Sequence, residues 1–161
     1  MGKILDGFAA LLSRRRAPPG GNRRSFLVFD MGGRAFGIDV RNVQEIRRWE
    51  RVQPVANAPE FVLGVLDVHG TKVPIIDIRP AGRVAATDAP MDAMILIKTE
   101  ALLMGMVVDS VSDVIGLQAS RILPPGEVLG GPGLPGIVGL TDIGSGAIIL
   151  IDFDKLIAAI S

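Results

Sequence analysis

Apolar residues along this chain come in short runs, each broken by glycine, proline or aspartate. Phe26 to Phe29 is one run, and apolar character returns between Arg34 and Ile38, after Gly32-Gly33. Glycine supplies the positive φ that a tight turn needs, so this pair predicts a hairpin. Val62–Val68 and Val73–Ile78, around His69-Gly70-Thr71-Lys72, predict a second. Met94–Ile97 and Leu102–Val108, around Lys98-Thr99-Glu100-Ala101, predict a third, and Ile137–Ile143 with Ala147–Phe153, around Gly144-Ser145-Gly146, a fourth. Within Val40–Trp49, Val43 and Ile46 stand three apart with charges among them, which reads as a helical turn or an irregular segment. Asp154–Ile160 fits a short closing helix, and Ala81–Asp92 a polar connector. Leu123–Gly136 holds four prolines and five glycines and predicts a long loop. Short, frequent strands without long helices are the pattern of an all-β sandwich or barrel.

The runs also repeat. Shifted by 75 residues, Phe61–Ile78 overlays Gly136–Phe153: Gly64 meets Gly139, Asp67 meets Asp142 and Asp77 meets Asp152. Shifted by 68, Phe26–Phe29 meets Met94–Ile97, Gly37 meets Gly105, Val40 meets Val108, Val43 meets Val111 and Ile46 meets Val114. The chain therefore reads as one β unit used twice, each a hairpin, a middle segment and another hairpin. Units of about 70 residues are marginal alone and gain stability by sharing a core.

Ahead of the first run, Ile4, Leu5, Phe8, Leu11 and Leu12 fall at helical spacing, followed by Arg14, Arg15 and Arg16 and an APPGGN linker. Two readings fit: an amphipathic helix that lies on a membrane surface or a partner, and a frayed tail. Residues 1–24 are expected to form a flexible tail and linker, and 25–160 the folded part. The arginines follow the apolar stretch, the reverse of a secretory signal. No run of about 18 apolar residues is present to span a bilayer. With no cysteine in the chain, the cytoplasm is the expected compartment.

Composition narrows the chemistry. Seventeen basic residues balance seventeen acidic ones, which disfavours nucleic acid as a partner. Without cysteine, and with a single histidine, thiol nucleophiles and histidine-rich metal sites are excluded. Asp39 with Glu45, and Asp109 with Asp113, are carboxylate pairs, but solvated edges and caps explain them better than acid–base chemistry. An enzyme reading would need perturbed carboxylates converging on His69. GGPGLPG, Gly130–Gly136, lacks the Lys-Ser/Thr of a phosphate loop. Trp49, after Arg47-Arg48, fits either a binding hot spot or a half-buried lid over a barrel end. No catalytic residue, metal or cofactor is assigned; binding is the expected activity.

Four ordered segments carry a family resemblance. FLVFDMGGRAFGIDVRNVQEI resembles the opening of the CheW-like chemotaxis coupling proteins, and NAPEFVLGVLDVHGTKVPIIDIR their central segment. MGMVVDSVSDVIGL with ILPPGEVLGG, then GAIILIDFDKLI, resemble their second half. The resemblance implies an all-β fold of two interleaved five-stranded Src-homology-three-like barrels around a shared core, with short helices in the middle segment and at the C-terminus. It implies a non-enzymatic scaffold, cytoplasmic and peripheral at receptor arrays. The implied partners are methyl-accepting chemotaxis receptors and the regulatory domain of a CheA-type histidine kinase. It places Val43, Glu45 and Gly64 at the receptor's hairpin tip. Val40 and Val52 fall near one kinase contact, and Glu127 and Val128 near a second. Asp67-Val68-His69-Gly70 departs from the family's Asn-Leu-Arg-Gly, so His69 joins the receptor set as a changed contact. That change keeps an alternative open, a divergent regulator of a non-chemotaxis sensory kinase that does not bind receptors in the usual way. Val40, Val43 and Val52 are expected as exposed apolar contacts, so Val43→Arg and Glu45→Lys are expected to fold and to abolish receptor control.

Overall fold

The computed structural model describes residues 23–78, 93–100, 102–124, 136–142, 144 and 146–160; the expected connector and most of the proline loop lie outside them. The elements are β1 (Arg23–Met31), β2 (Arg34–Asp39), a 3-10 turn (Val40–Asn42), β3 (Val43–Arg48), β4 (Val62–Val68) and β5 (Thr71–Ile76). There follow β6 (Ala93–Lys98), β7 (Leu103–Val108), β8 (Ser110–Gln118), a second 3-10 turn (Ala119–Arg121), β9 (Ile137–Asp142), β10 (Ala147–Ile151) and α1 (Phe153–Ile160). All four predicted hairpins form. Arg23 and Arg24, assigned to the linker by composition, already belong to β1 and pair with Gln118 and Leu117.

The helical-turn or irregular reading of Val40–Trp49 holds for the 3-10 turn at Val40–Asn42 but not for the strand β3 that follows, and the middle segment of the second half is the strand β8. In β3 the register against β6 shifts between Val43 and Glu45. A bulge adds one residue and so puts Val43 and Ile46, three apart, on the same buried face. The matching shift in β8, where Asp113 and Val111 oppose Val28 and Phe29, leaves Ser112 as the extra residue. Bulged strands mimic helical spacing, and the pattern alone does not separate the two.

Ten strands make two five-stranded sheets, β8-β1-β2-β10-β9 and β3-β6-β7-β5-β4. The sequence halves exchange hairpins. Each sheet takes one hairpin from the first half and one from the second, joined by a parallel pair: β2 with β10, where Gly37 faces Leu150, and β5 with β7, where Ile75 faces Gly105. These contacts superpose under the two repeat shifts. Each sheet then closes on itself. In the second, Gln53 and Val65 exchange backbone hydrogen bonds of 2.9 and 2.8 Å; in the first, Leu123 and Leu140 do so at 2.8 and 2.9 Å.

The repeated identities lie at these junctions. A Cβ on Gly64 would strike the Gln53 carbonyl, and φ there is +155°; a Cβ on Gly139 would come within 2.9 Å of the Leu123 carbonyl oxygen. Closure thus brings backbone against backbone where only glycine fits. Asp67 and Asp142 accept the turn amides of Gly70 and Gly144 at 2.9 and 2.7 Å. The amides of Asp77 and Asp152 donate to the Phe61 and Gly136 carbonyls at 2.8 and 2.9 Å, and the Asp152 side chain accepts Lys155 N–H at the start of α1.

Burial explains the unbroken apolar runs. Phe26 and Val28 line the inside of the first barrel with Leu117, Ile148 and Leu150. Leu27 and Phe29 face the other way, into a core shared between barrels with Ile95, Ile97, Ile149 and Phe153. Met94 and Leu96 fill the second barrel with Leu66, Val73 and Val107. Strands covered on both faces lose the polar alternation of a half-exposed sheet. Among the described residues, no helix is long and apolar enough to cross a membrane.

Two stability outcomes follow. Gly64→Ala is expected to cost more than about 2 kcal/mol, read as a shift in denaturation midpoint, because both φ and the Gln53 carbonyl oppose a side chain. Thr141 is fully buried with a hydroxyl that has no hydrogen-bond partner among the described residues. Thr141→Val is isosteric and is expected to raise Tm, by the equivalent of roughly 1 kcal/mol; a lower Tm would show that the hydroxyl is satisfied.

Candidate docking surface

The edge of the second barrel brings together Glu45, Arg47 and His69. On β3, Val43 and Ile46 point into the shared core, while Glu45 and Arg47 stand at its border, both half-buried. Arg47 Nη1 donates to Glu45 Oε2 at 2.9 Å, and Arg47 Nε to Glu50 Oε2 at 2.8 Å. Burial lowers the affinity of the Arg47 guanidinium for its proton, but the Glu50 and Glu45 contacts outweigh it and the pKa is raised. Arg47 is therefore a fixed cation that orients two carboxylates.

Closure brings the β4–β5 turn against this edge. His69 (φ +52°) and Gly70 (φ +85°) form its left-handed tip, and Lys72 Nζ lies 3.6 Å from Asp67 Oδ2. His69 Nε2 reaches within 3.7 Å of Glu45 Oε1, with the imidazole 80% exposed. Glu45 and His69, both in the receptor set that the resemblance implies, thus lie side by side. Gly64 serves the barrel seam, and the side chain it would touch after the Gln53 carbonyl is Val52, at 3.1 Å. Val52, half-buried, packs against the interior cluster of the second barrel, as does the half-buried Trp49.

Two expected contacts are corrected. Val40 and Val43 are each only 1% exposed and belong to the shared core. The 3-10 turn drives Val40 inward, and the bulge sends Val43 to the same interior. Neither presents the exposed apolar face that was expected, and Val43→Arg would set a cation among buried apolar side chains. Glu127 and Val128 lie outside the described residues.

Sequence reasoning missed a cluster at the end of β2. Asp39 is buried, not solvated. Its Oδ1 accepts Arg41 N–H at 2.9 Å and Arg41 Nε at 3.0 Å; its Oδ2 accepts Arg41 Nη2 at 2.8 Å and Arg24 Nη2 at 3.2 Å. Burial pushes the Asp39 carboxyl up, but the Arg41 hydrogen bonds and charge, with the Arg24 bond, outweigh it and hold it below the usual carboxylate range. Asp39 immediately before a polar turn was the available signal, since aspartate caps such turns. The other carboxylate pair is structural too: Asp109 accepts Gly32 N–H at 2.8 Å, and Asp113 accepts Val114 N–H at 2.7 Å.

Residues 25–161 match the family model described as the CheW-like domain. The chain belongs to the CheW-like family. A chemotaxis protein CheW from Klebsiella aerogenes is 36% identical over 139 residues, covering 84% of this chain and 82% of that one. The Treponema pallidum chemotaxis protein CheW is 26% identical over 155 residues, covering 92% and 91%. The crystal structure of the scaffolding protein TtCheW from Thermoanaerobacter tengcongensis superposes with a TM-score of 0.67 at 22% identity, covering 80% of this chain and 88% of that one. That likeness shows the fold: the two five-stranded sheets of this CheW-like chain are the expected twin Src-homology-three-like barrels.

Two outcomes test the surface. Val43→Arg places a cation in the shared core and is expected to leave little soluble folded protein, whereas Val43→Ile keeps the fold, as circular dichroism would report. Asp39, with its lowered pKa, contributes stability that is complete above about pH 4, the unfolded carboxylate range. It is lost as pH falls through the folded value. Asp39→Asn is therefore expected to be less stable than the parent at neutral pH, with the gap closing in acid; a gap independent of pH would contradict the charge assignment.

Proposed function

We propose that this chain is a non-enzymatic chemotaxis adaptor that couples methyl-accepting receptors to a CheA-type histidine kinase. Membership of the CheW-like family across residues 25–161 carries the reading. The geometry supports it: the buried side chains fill three cores, and the carboxylates weighed for catalysis instead hold backbone amides and arginines. Such a body acts by presenting fixed surfaces, and its output is the relative placement of two partners.

The receptor contact is assigned to the corner formed by Glu45, Arg47 and His69. Glu45 is oriented by Arg47, so its direction is set before a partner arrives, which lowers the entropic cost of docking. Gly64 contributes through its seam, holding the β4–β5 hairpin in place. The kinase contacts are assigned to the Val52 side of the second barrel and to Glu127 and Val128. The cytoplasmic face of a receptor array is the working location.

His69 supports a second reading, a regulator of another sensory kinase. An imidazole cannot reproduce the five-donor fork of an arginine, so a corner ending in His69 suits a changed receptor tip. Affinity capture from the native cell separates the two, returning receptors with kinase in the first case and kinase without receptors in the second. Glu45→Lys reverses a half-buried surface charge and is expected to keep its thermal transition within a few degrees of the parent while abolishing receptor control of kinase activity in a reconstituted assay. Normal control in that variant would remove the receptor contact from this corner.

A further inference from the structure

The clasp at the end of β2 has more cation than its buried carboxylate neutralises. Asp39 is one negative charge, and Arg24 and Arg41 are two positive ones, at 3.2 and 2.8 Å from Oδ2. Both carboxylate oxygens are filled, Oδ1 by two donors and Oδ2 by donors from both arginines. The surplus charge faces outward, since Arg41 is 65% and Arg24 44% exposed. Neither guanidinium is loose. Arg41 is fixed through Nε, Nη2 and its backbone amide within a 3-10 turn, and Arg24 lies 5.1 Å above the Phe26 ring. Arg41 Nη1 takes no part in the contact with Asp39, so that edge of the guanidinium remains for an outside acceptor.

We infer that the Arg24–Asp39–Arg41 clasp is a preformed docking point for a carboxylate on an acidic segment of the kinase, the protein whose contact the family resemblance implies near Val40. The correction at Val40 leads to it: that valine is buried, and the side chain its turn presents to solvent is Arg41. A planar, immobilised guanidinium suits a carboxylate acceptor and loses little freedom on binding. The chain's own leading segment is a poor occupant, because residues 1–22 carry four basic side chains against one acidic and would be repelled. A membrane surface is disfavoured as well, since lipid recognition needs a broad polybasic face. This inference rests on the adaptor reading for the protein that bears the carboxylate.

The test is calorimetric titration of the full chain into the purified CheA-type kinase of the same cell, at low and at high salt. Arg41→Gln is expected to weaken binding about tenfold at low salt and to flatten the salt dependence, since one charge contact is lost. Arg34→Gln makes the same change in net charge at the other end of β2 and is expected to bind as the parent does. Arg41→Lys keeps the charge without the fork and is expected to fall between them, and thermal melting confirms that each variant is folded. Because Arg41 also supports Asp39, the folded Arg24→Gln variant gives a second reading, with a loss in the same direction. A parent chain that does not bind the kinase overturns the adaptor reading and the inference with it. A parent that binds while folded Arg41→Gln binds equally well overturns the clasp alone. So does an equal loss in Arg34→Gln, which would mean unspecific charge. Binding to phosphatidylserine vesicles that Arg41→Gln abolishes, with kinase affinity unchanged, reassigns the clasp to a lipid surface.

Discussion

The fold depends on two parallel strand pairs that no single half of the chain can make. β2 lies beside β10 and β5 beside β7, and each pair joins a hairpin from one repeat to a hairpin from the other. Without them neither sheet has five strands, and neither barrel closes. Parallel neighbours must be joined by long connections, so these contacts bind distant parts of the chain together. The shared core follows from the exchange, since Leu27, Ile95 and Ile149 come from three separate regions and meet only when both sheets are built.

That architecture suits a protein whose work is placement. Three apolar clusters, two inside the barrels and one between them, fill the interior of the described residues. Among the described residues, what is left to meet a partner is what the folded body shows at its edges. The Glu45–Arg47–His69 corner exists because barrel closure carries the β4–β5 tip to β3. The Arg24–Asp39–Arg41 clasp exists because the end of β2 turns sharply and buries a carboxylate that two arginines then cover. In both places a half-buried or buried charge orients exposed ones, which favours specificity over bulk adhesion.

Much of this was legible in the chain. The four hairpins follow from apolar runs around glycine turns, and the duplication follows from Gly64/Gly139, Asp67/Asp142 and Asp77/Asp152, each of which serves a seam, a turn or a junction. β3 and β8 were hidden because a bulge shifts the side-chain phase by one residue. The exposed character expected of Val40 and Val43 failed for a related reason. A run of mixed residues does not say which of two adjacent positions turns inward, and here Arg41 and not Val40 faces solvent.

The sequence by itself determined the all-β class, the turns, the twofold repetition and the absence of thiol chemistry, because these rest on local backbone preference and composition. The tertiary structure alone decided which hairpin joins which sheet, which valines are core, and which charges share a carboxylate. Those outcomes depend on contacts between residues far apart in the chain. Periodicity reports the faces of a strand but not the strand that will lie beside it.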